Sequence, residues 1–309
     1  MRRGTAPTRA LTPLSVAFLN GVFWLAARCS RATSWRMARW LAQLMLIVGE
    51  DTARATRTNL ATCYPALSDA ALGQLTKESL SHMVLLFFEL AQLRYWPLER
   101  LLEDVTVEGG ELLDDAFHAD EGVLLLVPHY GNWELMCAYL GHFYTVAALY
   151  DRPKRAAVEQ LILAARQRYD GEMFPIDTGG MRSVYRTLRR GGLVALLPDQ
   201  VPDRNAGVYA PFFGKPALTM TLPHRLLTKT DATPLLGIVE RDLSRSNYSY
   251  RLRFERLDRA AFADEDQAAT AVNAAIERAI ADAPAQYQWE YKRFKRPPEG
   301  GQNNIYRRQ

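Results

Sequence analysis

The sequence is poor in cysteine, in net charge and in the glycine- and serine-centred signatures of common enzyme classes. Cys29, Cys63 and Cys137 are too few and too scattered for a disulfide framework or a zinc site, and their scarcity fits a reducing compartment. A net charge of +4 over 309 residues gives no support to a nucleic-acid partner. There is no G-x-G-x-x-G, no Walker loop and no G-x-S-x-G elbow, so dinucleotide, P-loop and serine-elbow chemistry lack their usual carriers. No repeat or low-complexity segment appears, and nothing implies a cofactor or a metal. What is present is apolar material: 48% hydrophobic residues, enough for a sizeable core in one large α/β domain or two.

The most informative stretch is Gly122-Val-Leu-Leu-Leu-Val127 followed by Pro128-His129-Tyr-Gly-Asn-Trp-Glu134. The apolar run reads as a buried strand that Pro128 stops. Gly131 and Asn132 suit a turn and a helix N-cap, and Leu135, Met136, Tyr139 and Leu140 continue at helical spacing. His129 therefore stands at the C-terminal end of a strand, where α/β sheets place their ligand crevices, with Glu134 at the start of the next helix. A carboxylate can fix one imidazole tautomer and stabilise the imidazolium, leaving the other nitrogen to take a proton from a hydroxyl. That pairing suits acyl transfer to an alcohol. Cys137, one turn further on, is a conceivable nucleophile but reads more simply as a core thiol.

Around this stretch the chain divides. Residues 11–27 form an uncharged run flanked by Arg2, Arg3, Arg9 and by Arg28, Arg31, Arg36, Arg39. It reads as an uncleaved membrane anchor in residues 1–30, either spanning or lying in the interface. A cleaved signal peptide competes, but no A-x-A site follows and Arg28 spoils a lipobox at Cys29; a soluble, buried helix is the other alternative. Residues 31–104 read as mostly helical, with a second apolar stretch at 40–48. From residue 105 short strands (105–107, 122–127, 145–150, 192–197, 234–239, 248–254) alternate with helices (133–141, 156–169, 181–190, 218–229, 268–283). The expected fold is α/β: a central mixed, mostly parallel sheet flanked by helices over 105–298, with an antiparallel edge strand at 248–254 and a tail at 299–309. Between Arg152 and Arg190 lie nine Lys/Arg and four Asp/Glu, a local net charge of +5 that invites an anionic partner. Trp289 to Arg296 mixes rings with cations and suits a membrane interface.

The motifs also carry a resemblance. His129-x4-Glu134 resembles the signature of the glycerolipid and lysophospholipid acyltransferase superfamily. The ordered set Asn59-Leu-Ala-Thr-Cys-Tyr-Pro65, Tyr150-Asp-Arg-Pro153, Leu197-Pro-Asp-Gln200, Pro211-Phe-Phe-Gly214 and Gln286-Tyr-Gln-Trp289…Arg293-Phe-Lys295 is similar to the late, lauroyl/myristoyl acyltransferases of lipid A biosynthesis. Asp151 departs from the family's more usual Tyr-Arg-Pro, which bears on the acceptor rather than the reaction. The resemblance implies an acyl carrier protein as donor, an anionic glycolipid of the lipid A precursor type as acceptor, and a site on the cytoplasmic face of the inner membrane. His129 and Glu134 are then the expected catalytic pair. Asn132, Arg152, Arg166, Arg168, Asp199 and Gln200 are the expected substrate-binding residues, Asp199 holding an arginine or a sugar hydroxyl. The loop 211–219 is expected to line a substrate pocket. A lysophospholipid or other glycolipid acceptor, a lipid esterase and a non-catalytic membrane-binding protein are the alternatives.

Overall fold

The structure is a computed structural model that describes residues 13–119, 121–150, 168–169, 171–175, 177–245, 247–299 and 305–306. Five helices come first: α1 (Pro13–Ala26), α2 (Arg31–Val48), α3 (Asp51–Cys63), α4 (Asp69–Tyr95) and α5 (Leu98–Leu102). Then follow β1 (Val105–Glu108), α6 (Glu111–His118), β2 (Val123–Leu126), α7 (Trp133–Phe143), β3 (Val146–Tyr150) and β4 (Glu172–Pro175). The rest is α8 (Thr178–Arg189), β5 (Leu193–Leu196), β6 (Gly207–Phe212), β7 (Lys215–Met220), α9 (Leu222–Leu227), β8 (Thr233–Asp242), β9 (Ser249–Arg256) and α10 (Glu265–Asp282).

Seven strands form one mixed sheet in the order β1-β9-β8-β2-β5-β3-β4. β8, β2, β5, β3 and β4 run parallel, while β9 is antiparallel to β8 and carries β1 parallel to itself. The central strands are buried on both faces, and their two-residue period divides them between two cores. β2 sends Leu124 and Leu126 into one core with Leu60, Leu72, Val184, Leu188, Ile276 and Ile280. It sends Val123 and Leu125 into the other with Leu85, Leu93, Leu113, Leu135 and Met136. The N-terminal helices are thus built into the same cores as the sheet: α3 on one side, α2 at Ala38 on the other, and α4 reaching both.

A buried ion pair ties α4 to the sheet. The Arg241 guanidinium, at the C-terminal end of β8, donates from Nε to Glu89 Oε1 (2.7 Å) and from Nη2 to Oε2 (2.6 Å), and Tyr250 Oη donates to Oε1 (3.0 Å). Arg241 Nη1 donates to His82 Nδ1 (3.3 Å), and burial beside this cation pushes the His82 pKa well down. Ser34 of α2 accepts from Gln92 of α4, and the Arg31 side chain reaches Asp104 at 2.7 Å.

Several expectations change. Residues 211–219, expected as a loop, form the β6/β7 hairpin, closed by Phe213 and Gly214 at φ 48° and 69°. The helix expected over 218–229 shrinks to α9, because residues 218–220 pair in β7. β4 was not foreseen; its short Glu-Met-Phe-Pro sequence has no alternation to reveal it. β9 is not an edge strand, since β1 lies outside it. The helix expected over 156–169 falls largely on residues outside those described, and residues 168–169 lie in a turn. The segment expected at a membrane interface is folded inward instead: Trp289, Arg293 and Phe294 are all buried. Among the described residues no helix is long and apolar enough to cross a membrane.

Candidate active site

Between β2 and α7 the chain turns within a few residues, and the turn is clamped from two sides. Gly131 has φ 58°, and a Cβ there would stand 1.7 Å from the Val239 carbonyl oxygen, so only glycine fits. The Asn132 amide donates to that same Val239 oxygen (3.1 Å) and the Gly131 amide to Gln286 O (3.0 Å). The His129 carbonyl accepts from the Gln288 amide (3.0 Å). The histidine backbone is therefore fixed by the end of β8 and by the segment after α10.

β5 pairs directly with β2, and this neighbourhood brings Asp199 beside His129. The carboxylate holds the histidine twice: Oδ2 accepts from the His129 amide (2.9 Å), and Oδ1 lies 2.7 Å from Nδ1. Asp199 is only 2% exposed. Burial pushes its pKa up, but the attraction of the imidazole charge and hydrogen bonds from the His129 ring and from backbone amides outweigh it, and the carboxyl is held below its ordinary range. A carboxylate accepts only, so Nδ1 carries a proton, and in the neutral ring Nε2 presents its lone pair. The Gln200 side-chain amide stands 3.1 Å from that Nε2 and 3.5 Å from Gln288 Oε1. The Trp133 indole meets the imidazole edge-on at 5.0 Å. Behind Gln288 sits Glu290, half-buried, whose carboxyl is pushed up to about 7 by burial, against the pull of a hydrogen bond from its own backbone amide, one from Gln288, and the His129 and Arg241 charges.

The expected residues separate on this geometry. His129, Asp199 and Gln200 come together, and the partner that Asp199 holds is the imidazole. Both ring nitrogens are thereby engaged, and the orienting carboxylate on Nδ1 is that of Asp199; Glu134 is buried in the first turn of α7. Asn132, expected to bind substrate, is the helix cap: it is 1% exposed and its Oδ1 accepts from the Leu135 amide (3.3 Å). Arg168 donates to the Leu93 carbonyl at the end of α4 (2.8 Å). Arg152 and Arg166 lie outside the described residues. Gln288 and Glu290 were not singled out. Gln288 lies inside a recognised motif and Glu290 directly follows it, but only the fold of the segment after α10 carries them to His129.

Buried hydrogen bonds tie the motifs around this site to one another. Asn59 donates from Nδ2 to Trp289 O (2.6 Å) and Tyr291 O (2.9 Å), and its Oδ1 accepts from Tyr306. Buried Arg293 donates to Leu218 O (2.7 Å) and Thr219 Oγ1 (2.8 Å), joining the tail to the hairpin. An imidazole so oriented, at the C-terminal rim of a parallel sheet, can take a proton from a hydroxyl brought to Nε2.

Comparison with known proteins agrees over almost the whole length. The family described as bacterial lipid A biosynthesis acyltransferase matches residues 2–296. The lipid A biosynthesis palmitoleoyltransferase of Escherichia coli K12 is 28% identical over 251 residues, covering 81% of this chain and 80% of its own. The lauroyltransferase of the same organism is 23% identical over 280 residues, 91% of each chain. The myristoyltransferase is 23% identical over 289 residues, covering 91% of this chain and 86% of its own. With residues 2–296 matched and its histidine set at the rim of an α/β sheet, the chain belongs to the bacterial lipid A biosynthesis acyltransferase family.

Proposed function

We propose that the protein moves a fatty acyl chain from the thioester of an acyl carrier protein to a hydroxyl of an anionic glycolipid, a lipid A precursor of the Kdo2-lipid IVA type. The observation that carries this reading is His129, held at Nδ1 by Asp199 with Nε2 turned toward a polar partner 3.1 Å away. The Gln200 amide, 3.1 Å from Nε2, marks the side from which the acceptor hydroxyl must come. Nε2 removes the hydroxyl proton as the oxygen attacks the thioester carbonyl, forming the new C–O bond. Asp199 stabilises the imidazolium so formed. The C–S bond then breaks, and the leaving thiolate takes the proton from Nε2. No acyl-enzyme is formed on this route. Glu134, at the electropositive start of α7, is the second carboxylate of the unit. Arg152 and Arg166 are assigned to the acceptor's phosphates on the family resemblance.

The proposed place is the cytoplasmic face of the inner membrane, reached through the N-terminal helices. Phe18, Leu25, Trp40, Ile47 and Val48 are more than half exposed, with Arg28, Arg36 and Arg39 beside them. Before Glu50 the chain carries seven arginines and no acid, a composition suited to an anionic lipid surface. α2 stacks on α4, and α4 is tied through Glu89 to the C-terminal end of β8. β8 and β2 are parallel, so these helices gather at the same end of the sheet as His129.

The test is to incubate the purified protein with acyl carrier protein bearing a labelled acyl chain and with candidate acceptors. Label in the glycolipid is the expected result. Label released as free fatty acid points to an esterase, and no turnover with any acceptor to a binding protein.

A further inference from the structure

The basic window read from the sequence is described in its second half, and there it becomes a surface. α8 turns Arg182, Tyr185, Arg186 and Arg189 to one side, at the spacing of a single helix face. Together with Arg190 and with Lys229 beyond α9 they line a concavity of about 520 Å³. All five cations are exposed, and none makes an ion pair with a carboxylate among the described residues. Residues 178–230 hold eight Lys/Arg against two Asp/Glu. Neither acid offsets the face, because Asp199 is buried on His129 and Asp203 lies against Arg296. Complementing the negative end of a helix needs only a cation or two in its last turn; it does not explain Arg182 in the first half of α8 or Lys229 on another element.

Two features identify the occupant. The first is the absence of grease. Exposed large apolar side chains are concentrated between Phe18 and Val48, and among the described residues none lies beyond Phe143. A face with charge whose one ring, Tyr185, is half-buried and which has no exposed large apolar side chain to insert fits a soluble acidic partner rather than a bilayer. The second is placement. β4, β3 and β5 are parallel, so α8, which follows β4 and precedes β5, starts at the catalytic end of the sheet and descends from it. Arg182 stands about one turn below that rim, and α8 packs across β3, β4 and β5, the last of which leads to Asp199.

We infer that the row Arg182–Arg186–Arg189, with Arg190 and Lys229, is the docking surface for the acidic carrier protein that brings the acyl thioester. The docked carrier lies along α8 with its acyl end toward the rim. The surface deepens the proposed function and rests on its carrier-protein donor. The charge pairs formed steer and orient the encounter, so their loss shows in donor affinity and in salt dependence rather than in the chemical step.

The experiment compares wild type with the triple variant Arg182→Glu, Arg186→Glu, Arg189→Glu and with its lysine counterpart. Binding of holo-acyl carrier protein is measured by fluorescence anisotropy at several salt concentrations. Transfer is measured from acyl carrier protein and from the uncharged acyl-pantetheine. The expected result is a Kd and a KM for the carrier raised at least tenfold in the glutamate variant. Turnover from acyl-pantetheine should be unchanged, and affinity largely recovered in the lysine variant. Unchanged carrier affinity overturns the docking surface. So does a loss of binding to vesicles containing phosphatidylglycerol with carrier affinity intact, which makes the face a lipid contact. If neither thioester supports transfer, the reaction assigned above is wrong, while the binding arm still decides the surface.

Discussion

Glu290 titrates where few carboxyls do. Burial pushes it from the usual value of 4.5 to about 7, although its own backbone amide, Gln288 and the His129 and Arg241 charges pull the other way. The folded state therefore holds this proton more tightly than the unfolded chain. Its contribution to stability is complete below about pH 4.5 and is lost as pH rises toward 7, costing about 1–3 kcal/mol for a half-buried group. Asp199 works in the opposite sense: its pKa is depressed, so its stabilisation is present at neutral pH and is lost on acidification. Urea unfolding from pH 5 to 9 should show the wild type losing stability with rising pH and Glu290→Gln losing less; parallel curves would remove Glu290 as the cause. At this scale His129 was legible, because a histidine after a proline-stopped apolar run marks a strand end. The carboxylate on its Nδ1 was not legible. Nothing in Leu197-Pro-Asp-Gln200 says that β5 will lie beside β2, and only that adjacency brings Asp199 to Nδ1.

Among the elements, α4 and β8 depend on each other through Glu89 and Arg241. Each is 2% exposed or less, and the pair is doubly hydrogen-bonded. Truncating one partner leaves the other charge buried, so Glu89→Ala should cost about 3–5 kcal/mol in denaturant unfolding. Replacing both by apolar residues of similar volume should recover much of that loss. A cost below about 1 kcal/mol for Glu89→Ala would mean that water reaches the pair. The unit β2–turn–α7 was legible because its period changes from a continuous apolar run to helical spacing at Pro128. The β6/β7 hairpin was not. Two prolines and a Phe-Phe-Gly run read as a loop, yet Phe213 and Gly214 close a tight turn whose flanking residues pair in register.

Over the whole molecule, apolar exposure is lopsided. Ile47 and Val48 are 71% and 79% exposed while most other large apolar side chains are covered. The sequence pointed to residues 11–27 as the membrane-seeking run; the described helices show an outward apolar face on α2 as well, at Met37, Trp40, Leu44 and Ile47. Helical spacing could not separate that face from a core-facing one, because α2 is apolar on both. Seating α2 in lipid buries side chains worth about 1.5–3 kcal/mol each. Trp40→Glu with Ile47→Glu should therefore weaken flotation with phosphatidylglycerol-containing vesicles by more than tenfold while far-UV circular dichroism is unchanged. Full flotation of that variant would assign the attachment to α1 or to the residues before it.

His129, held by Asp199, is the proposed base that activates the acceptor hydroxyl. That role is tested most directly by turnover in His129→Ala, Asp199→Asn and the double variant, each shown to be folded, with the acyl carrier protein donor and the glycolipid acceptor. His129→Ala should lose roughly 10²–10⁴ in turnover, the scale of a positioned base, and Asp199→Asn a comparable or smaller factor. The double variant should be little worse than His129→Ala alone, because the two residues act as one unit. Wild-type turnover in His129→Ala, or an acyl adduct trapped on Cys137 or on a serine, would contradict that role.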